Sequence, residues 1–187
     1  MTDGSQHGPA ADATDAALIA RWQAGDQPAA TAIVERHAAS LARFAVSLGE
    51  RNEVDELVQD TFVRAFGSLD AFRGESSLRT WLFTILRRLV LDRRRAGRRE
   101  RGRVEVSERD AVTEYSALDG VVAQETETRV RTAVARLTPM QREVFTLRVT
   151  EGLSYKEIAD VVGSTEGAAR VHYHNAMRAV KEFLDDE

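Results

Sequence analysis

The chain contains no cysteine, only three prolines and 6% aromatic residues. Without cysteine there are no disulfides and no thiolate metal ligands. The histidines, His7, His37, His172 and His174, are too scattered to suggest a metal site, so no cofactor is expected. Little proline and few aromatics suit helices better than a sandwich of short strands. No run of about 18 apolar residues is present, as a membrane-spanning helix would need. The N-terminal stretch MTDGSQHGPAADAT lacks both the basic start and the apolar run of a signal peptide. A cytoplasmic protein is therefore expected. No cluster of nucleophile, base and acid stands out, so an enzyme is the least expected class.

What is there points to helices. At 187 residues and 43% hydrophobic content the chain can form two small cores. The expected architecture is all-α: two small helical domains joined by a flexible linker, the C-terminal one a helix-turn-helix. Residues 1–14 read as a disordered lead-in, 15–97 as the first domain, 98–122 as the linker and 123–187 as the second domain. Net charge is −4, a sum that hides strong segregation. Over residues 87–103 nine arginines meet only Asp92 and Glu100, whereas over 104–124 Glu105, Glu108, Asp110, Glu114 and Asp119 face only Arg109.

Apolar residues recur at helical spacing through Leu18, Ile19 and Trp22, through Ala29, Ala32 and Ile33, and through Leu41, Phe44, Ala45 and Leu48, with breaks at Gly25-Asp26 and Gly49. Val54, Leu57, Val58, Thr61, Phe62, Ala65 and Phe66 form the stripe of a third helix. Asp55, Glu56, Gln59, Asp60 and Arg64 lie largely off that stripe and give the helix an acidic outer face. Residues 67–75 read as a loop, and Ser76 or Ser77 caps the next helix, which runs on Leu78, Trp81, Leu82, Ile85, Leu86 and Leu89 to about Arg95, where Ala96-Gly97 weakens it. Further on, Val130, Val134 and Leu137 mark one helix. Thr138-Pro139-Met140-Gln141 and Ser154-Tyr155-Lys156-Glu157 each carry the capping-box pattern, and Gly163 suits a left-handed helix end. A last helix starts near Ser164 or Thr165 and buries Ala169, Tyr173, Ala176 and Val180.

Two capped helices joined at Gly163-Ser164 make a helix-turn-helix unit, whose second helix can enter a major groove. Its outward Arg170, Val171, His174 and Asn175 are types that read base edges: Arg a guanine, Asn an adenine, Val a thymine methyl. The bland alternative is a helical hairpin with a solvated face. For the acidic third helix the bland alternative is a solvated charged face, and for the arginine run it is a helix end whose cations favour the C-terminal dipole. Seven arginines in the eleven residues 93–103 exceed that need, and phosphate contacts are their simplest use.

The block DELVQDTFVRAFGSLDAFRGESSLRTWLFTILRRLVLDRRR, followed by LSYKEIADVVGSTEGAARVHYHNAMRAV, resembles the bacterial extracytoplasmic-function (ECF) sigma factors of the sigma-70 superfamily over nearly the whole chain. That resemblance implies two DNA-binding domains, one for the −10 promoter element and one for the −35 element. Core RNA polymerase, through its β′ clamp and β subunits, and promoter DNA would be the partners, together with a cognate anti-sigma factor. It makes Asp55, Glu56, Gln59 and Asp60 the polymerase-docking residues. FRGESSLRTW resembles the −10 recognition loop, which assigns Arg73, Gly74, Glu75, Ser76 and Ser77 to base capture, and Arg79, Thr80 and Arg87 to nearby strand contacts. Trp81 is either core or a stacking platform. At the −35 element the matching residues are Ser164, Thr165, Arg170, Val171, His174 and Asn175. The chain departs from the family in having His172, His174, Asn175 and Met177 where more basic residues are usual, which implies weaker phosphate affinity. The acidic linker resembles one that enters the RNA channel of the polymerase. Two other functions fit parts of the pattern: a free-standing helix-turn-helix regulator, and a sigma mimic that sequesters an anti-sigma factor.

Overall fold

A computed structural model of the chain describes residues 14–69, 72–101 and 121–185. The expected lead-in, apart from residue 14, and all but the ends of the expected linker lie outside the described residues. Among those described, every regular element is helical: α1 (Asp15–Gln23), α2 (Gln27–Ser47), α3 (Val54–Gly67), α4 (Leu78–Arg101), α5 (Val121–Ala135), α6 (Pro139–Phe145), α7 (Tyr155–Val162) and α8 (Glu166–Asp185). A π-helical turn, Thr146–Thr150, prolongs α6.

The helix ends follow local chemistry. Thr14 accepts the Ala17 N–H at 3.2 Å and starts α1. Thr138 and Ser154 both form full capping boxes, with Gln141 and Glu157 reaching back to the cap backbone. Ser77, rather than Ser76, caps α4 by accepting the Thr80 N–H at 3.1 Å. Gly49 illustrates a glycine required twice over. Its φ of 93° lies in the left-handed region, and an added Cβ would sit 3.2 Å from the Arg94 guanidinium. Arg94 donates from there to the Leu48 carbonyl and, at 3.2 Å, to Glu50.

The helix α4 continues to Arg101 instead of weakening at Ala96-Gly97. One glycine in a helix costs only about 1 kcal/mol relative to alanine, and arginine is a good helix former. Anchors on Arg93 and Arg94 secure the turn before the glycine.

Phe44 and Phe83 meet edge-on in the core at 5.2 Å between ring centroids, both fully buried, with Leu18, Ile33, Leu41, Leu57, Leu82 and Leu86 around them. Each such side chain contributes about 1.5–3 kcal/mol on burial. This core does not end with α4. Val144, Leu147, Leu153, Ile158, Val161, Val162 and Ala169 of the C-terminal half pack into the same apolar cluster, chiefly where α7 lies on α4. A smaller cluster of Ala133, Leu137, Phe145, Ala176 and Val180 joins α5, α6 and α8.

Where the start of α1 lies against the middle of α2, His37 is buried, with Nε2 3.1 Å from Asp15, which also accepts from Arg36 at 2.8 Å. Burial lowers the His37 pKa. Asp15 opposes that shift, and the nearby charges of Arg36 and Arg79 reinforce it. The unfolded chain therefore takes up a proton on this imidazole before the folded one does. The stability carried by neutral His37 is fully present above the unfolded value of about 6.5 and is lost as pH falls through the window below it. Thermal unfolding of the wild type should consequently lose more stability between pH 7.5 and pH 5.5 than that of a His37→Gln variant. Equal losses in the two proteins would contradict the assignment.

Candidate nucleic-acid and partner interfaces

Three surfaces gather the residues singled out in the sequence. On α3 the apolar stripe turns inward, leaving Asp55, Glu56 and Gln59 exposed and Asp60 half-buried. Arg93 of α4 crosses to this face and donates to Glu53 at 2.8 Å, Glu56 at 2.8 Å and Asp60 at 2.9 Å. Burial works to lower the Arg93 pKa, but the bonds to Asp60 and Glu56 outweigh it and raise it. Val63, two-thirds exposed, continues the Glu56–Asp60 face at helical spacing. Sequence reasoning missed both Glu53 and Val63. The available signal for Val63 was a large apolar residue lying off its own helix's stripe.

The second surface is a cavity of ≈ 350 Å³ at the start of α4, lined by Phe72, Arg73, Glu75, Ser76, Trp81 and Arg88. Gly74 turns the loop with φ 69°, and Arg73 and Glu75 stand out into solvent 3.3 Å apart. Trp81 divides its surface between core packing and the cavity wall. Half-buried, it packs on Phe72 at 5.0 Å between centroids and also walls the cavity. The chemistry matches an unstacked base: aromatic walls for the ring, and hydroxyl, carboxylate and guanidinium groups for its edge. Arg88 is an addition to the residues named from sequence.

Three residues expected at this surface are not open to a strand in this arrangement. Arg79 donates to the carboxylate of Glu151 and, at 2.7 Å, to its carbonyl. Arg87 donates to Glu143 at 2.6 Å, and both side chains are largely covered. Thr80 is fully buried and donates to Glu157 at 3.2 Å. The sequence-based assignment of these three to strand contacts missed that the C-terminal half covers them. The arginine run is also partly committed, because Arg93 and Arg94 hold α3 and the end of α2, while Arg98 and Arg99 are exposed.

The third surface is the outer face of α8. Gly163 ends α7 at φ 68°, ψ 44°, and Thr165 accepts the Ala168 N–H at 3.2 Å to open α8. Ser164, Thr165, Arg170, Val171 and His174 are exposed, and Asn175 is half-buried. Arg170 pairs with Glu166 at 2.9 Å and lies 5.1 Å over the Tyr155 ring, which steadies its guanidinium at the surface. Asn175 accepts from Arg178 at 3.3 Å. No helix among the described residues is long and apolar enough to cross a membrane.

Residues 33–100 match Sigma-70 region 2, and residues 127–180 match Sigma-70, region 4. The chain is 31% identical over 188 residues to the ECF RNA polymerase sigma factor BldN of Streptomyces coelicolor, covering 96% of this chain and 70% of that protein. It is 30% identical over 176 residues to the ECF RNA polymerase sigma-E factor of Salmonella typhimurium, covering 89% of this chain and 92% of the relative. Among solved structures, the sigma factor RpoE in complex with the anti-sigma factor NepR from Bartonella quintana superposes with TM-score 0.66 at 28% identity, over 82% of this chain and 95% of that one. CnrH in complex with the cytosolic domain of CnrY gives TM-score 0.64 at 30% identity, over 92% of this chain and 99% of the other. With the helical fold, the two matched regions and relatives of nearly full coverage in agreement, the chain belongs to the ECF RNA polymerase sigma factors and is an alternative sigma factor acting in transcription initiation.

Proposed function

We propose that this sigma factor divides its work between two helical domains, residues 15–97 and 123–187, acting on the −10 and −35 elements respectively. The observation that carries the reading is the cavity walled by Phe72 and Trp81 and ringed by polar groups, at the capped start of an arginine-bearing helix. A base flipped from the duplex fits those walls and offsets an unstacking cost of a few kcal/mol. The work is binding and unstacking, so no catalytic residue is called for, and its place is the cytoplasm, with the polymerase. The acidic face of α3 docks on the β′ clamp, where charge complementarity sets orientation and on-rate. A cognate anti-sigma factor is a further proposed partner, since the similar solved sigma factor RpoE is bound to one.

Polymerase docking is tested with the Glu56→Arg, Asp60→Arg double variant. Capture of core enzyme should fall about tenfold or more, with helicity retained by circular dichroism. Capture at the wild-type level would reassign the acidic face to the clasp on Arg93 alone.

At the −35 element, Arg170→Ala should cost about 1–3 kcal/mol and relax preference at one base position, with Arg170→Lys restoring only part because it lacks the bidentate fork. Binding measured across a panel of −35 variants separates this from uniform weakening, which would make Arg170 a phosphate contact.

Melting is tested by deleting Gly74 and Glu75. Core binding and −35 contacts should persist while the open complex is lost, and a promoter with a pre-melted bubble should recover much of the activity because the unstacking cost is already met. Permanganate reactivity of unpaired thymines reads this directly; normal reactivity on fully duplex promoter would refute it.

A further inference from the structure

Among the residues assigned to the −35 element, Ser164, Thr165, Arg170, Val171, His174 and Asn175, only Arg170 carries a guanidinium. A base edge accepts that fork in one orientation, whereas a free arginine side chain samples many. What holds the group before DNA arrives therefore bears on discrimination. Two neighbours hold it. Glu166, one turn earlier on α8, accepts from it at 2.9 Å. Tyr155, the first residue of α7, offers its ring, with the guanidinium carbon 5.1 Å from the ring centroid. The two contacts differ in what they occupy. An ion pair takes up an N–H donor, but the attraction of a cation to an aromatic face takes up none, so the donors stay available to a base.

The ring is itself fixed from other directions. Arg148 donates to the Leu153 carbonyl at 2.7 Å and lies 4.9 Å over the same ring. Tyr173 of α8 meets Tyr155 edge-on, with centroids 5.8 Å apart, and lies 5.9 Å from the ring of His174. Arg170 and His174 are both exposed and stand one turn apart on α8, with the half-buried Tyr173 between them in sequence. A residue of the scaffold helix thus touches one base-reading side chain directly and reaches a second through a single neighbour.

We infer that Tyr155 is a positioning residue for −35 discrimination, its ring aiming the Arg170 guanidinium at a base edge while leaving the donors of the fork free. This rests on the assignment of Arg170 to a −35 base edge. The role belongs to the π-face and not to the hydroxyl, so phenylalanine serves in its place. A Tyr155 that only filled space against Tyr173 would act on every DNA sequence alike.

The test uses holoenzyme assembled from core RNA polymerase and the full chain, bound to a pool of promoter duplexes randomised across the −35 element, with the bound DNA sequenced. Arg170→Ala should remove the preference at one position and so identify it. At that position Tyr155→Leu should reduce enrichment of the preferred base about two- to fivefold, with a smaller effect elsewhere. Tyr155→Met, adaptable in packing, should do the same and guards against a defect peculiar to leucine, with helicity of each variant checked by circular dichroism. Tyr155→Phe should keep the wild-type pattern. Adding Tyr155→Leu to Arg170→Ala should change nothing further at that position. An equal loss at all positions in the Leu and Met variants makes Tyr155 a packing residue and overturns the positioning role. A loss in Tyr155→Phe as large as in Tyr155→Leu overturns it in favour of a hydroxyl contact to DNA. If Arg170→Ala leaves every preference unchanged, the −35 assignment fails and the positioning role falls with it; if Arg170→Ala removes a preference that Tyr155→Leu and Tyr155→Met leave intact, the positioning role alone fails.

Discussion

A carboxylate with no exposed side-chain surface joins the two halves of this sigma factor. Glu151 is held from two helices at once, by Arg43 of α2 and Arg79 of α4, and the second arginine also takes its carbonyl. Removing an ionised carboxylate from water is affordable only with such partners, so the position of Glu151 dictates how the halves sit. The π-helical turn before it and Gly152 after it, at φ 70°, bring the side chain round to face both arginines. The meeting of α7 with α4, and the covering of Arg79, Thr80 and Arg87, belong to the same interface.

Charge is segregated along the chain, and folding brings the opposite signs together. The acidic face of α3 is clasped by Arg93, and the arginines of α4 that face the C-terminal half meet Glu143 and Glu151. The surfaces proposed above for polymerase and for the −10 strand therefore carry ion pairs within the chain. On those proposed roles, partner binding exchanges the chain's own ion pairs for external ones. Exchange costs less than leaving a buried charge unpaired, because each released group regains either a partner or water. At the cavity beside the start of α4 the charges stay outward: Arg73 and Glu75 are exposed at its rim, outside the interface.

Much of this was legible in the sequence where the cause is local. Thr138 with Gln141, Ser154 with Glu157, and Gly163 each declare a helix end within four residues, and each occurs as read. The stripe of α3 was likewise legible, since Leu57, Phe62 and Ala65 share one face at helical spacing. What escaped is non-local. Glu143 and Glu151 look like ordinary solvated acids in the sequence and Glu157 like a capping-box partner alone, yet their arginine and hydroxyl partners on the N-terminal half lie 56 to 108 residues away. Arg87 and Arg88 are neighbours in sequence and serve different surfaces, because successive residues on a helix point about 100° apart. Arg87 turns to Glu143 and Arg88 to the cavity. The end of α4 was misjudged for a related reason. A glycine weakens a helix locally, but the anchors that hold this one come from Glu53, Glu56, Asp60 and the carbonyl of Leu48.

On the proposed roles of its two domains, this chain gives core RNA polymerase selective initiation through paired −10 and −35 recognition. Run-off transcription with purified core enzyme on a library of promoter templates tests it most directly. Transcripts are expected only when the chain is added, from templates sharing one motif near −10 and another near −35, with activity lost when either is scrambled. A chain that binds core enzyme but starts no transcript from any template, or starts equally from all, would contradict it.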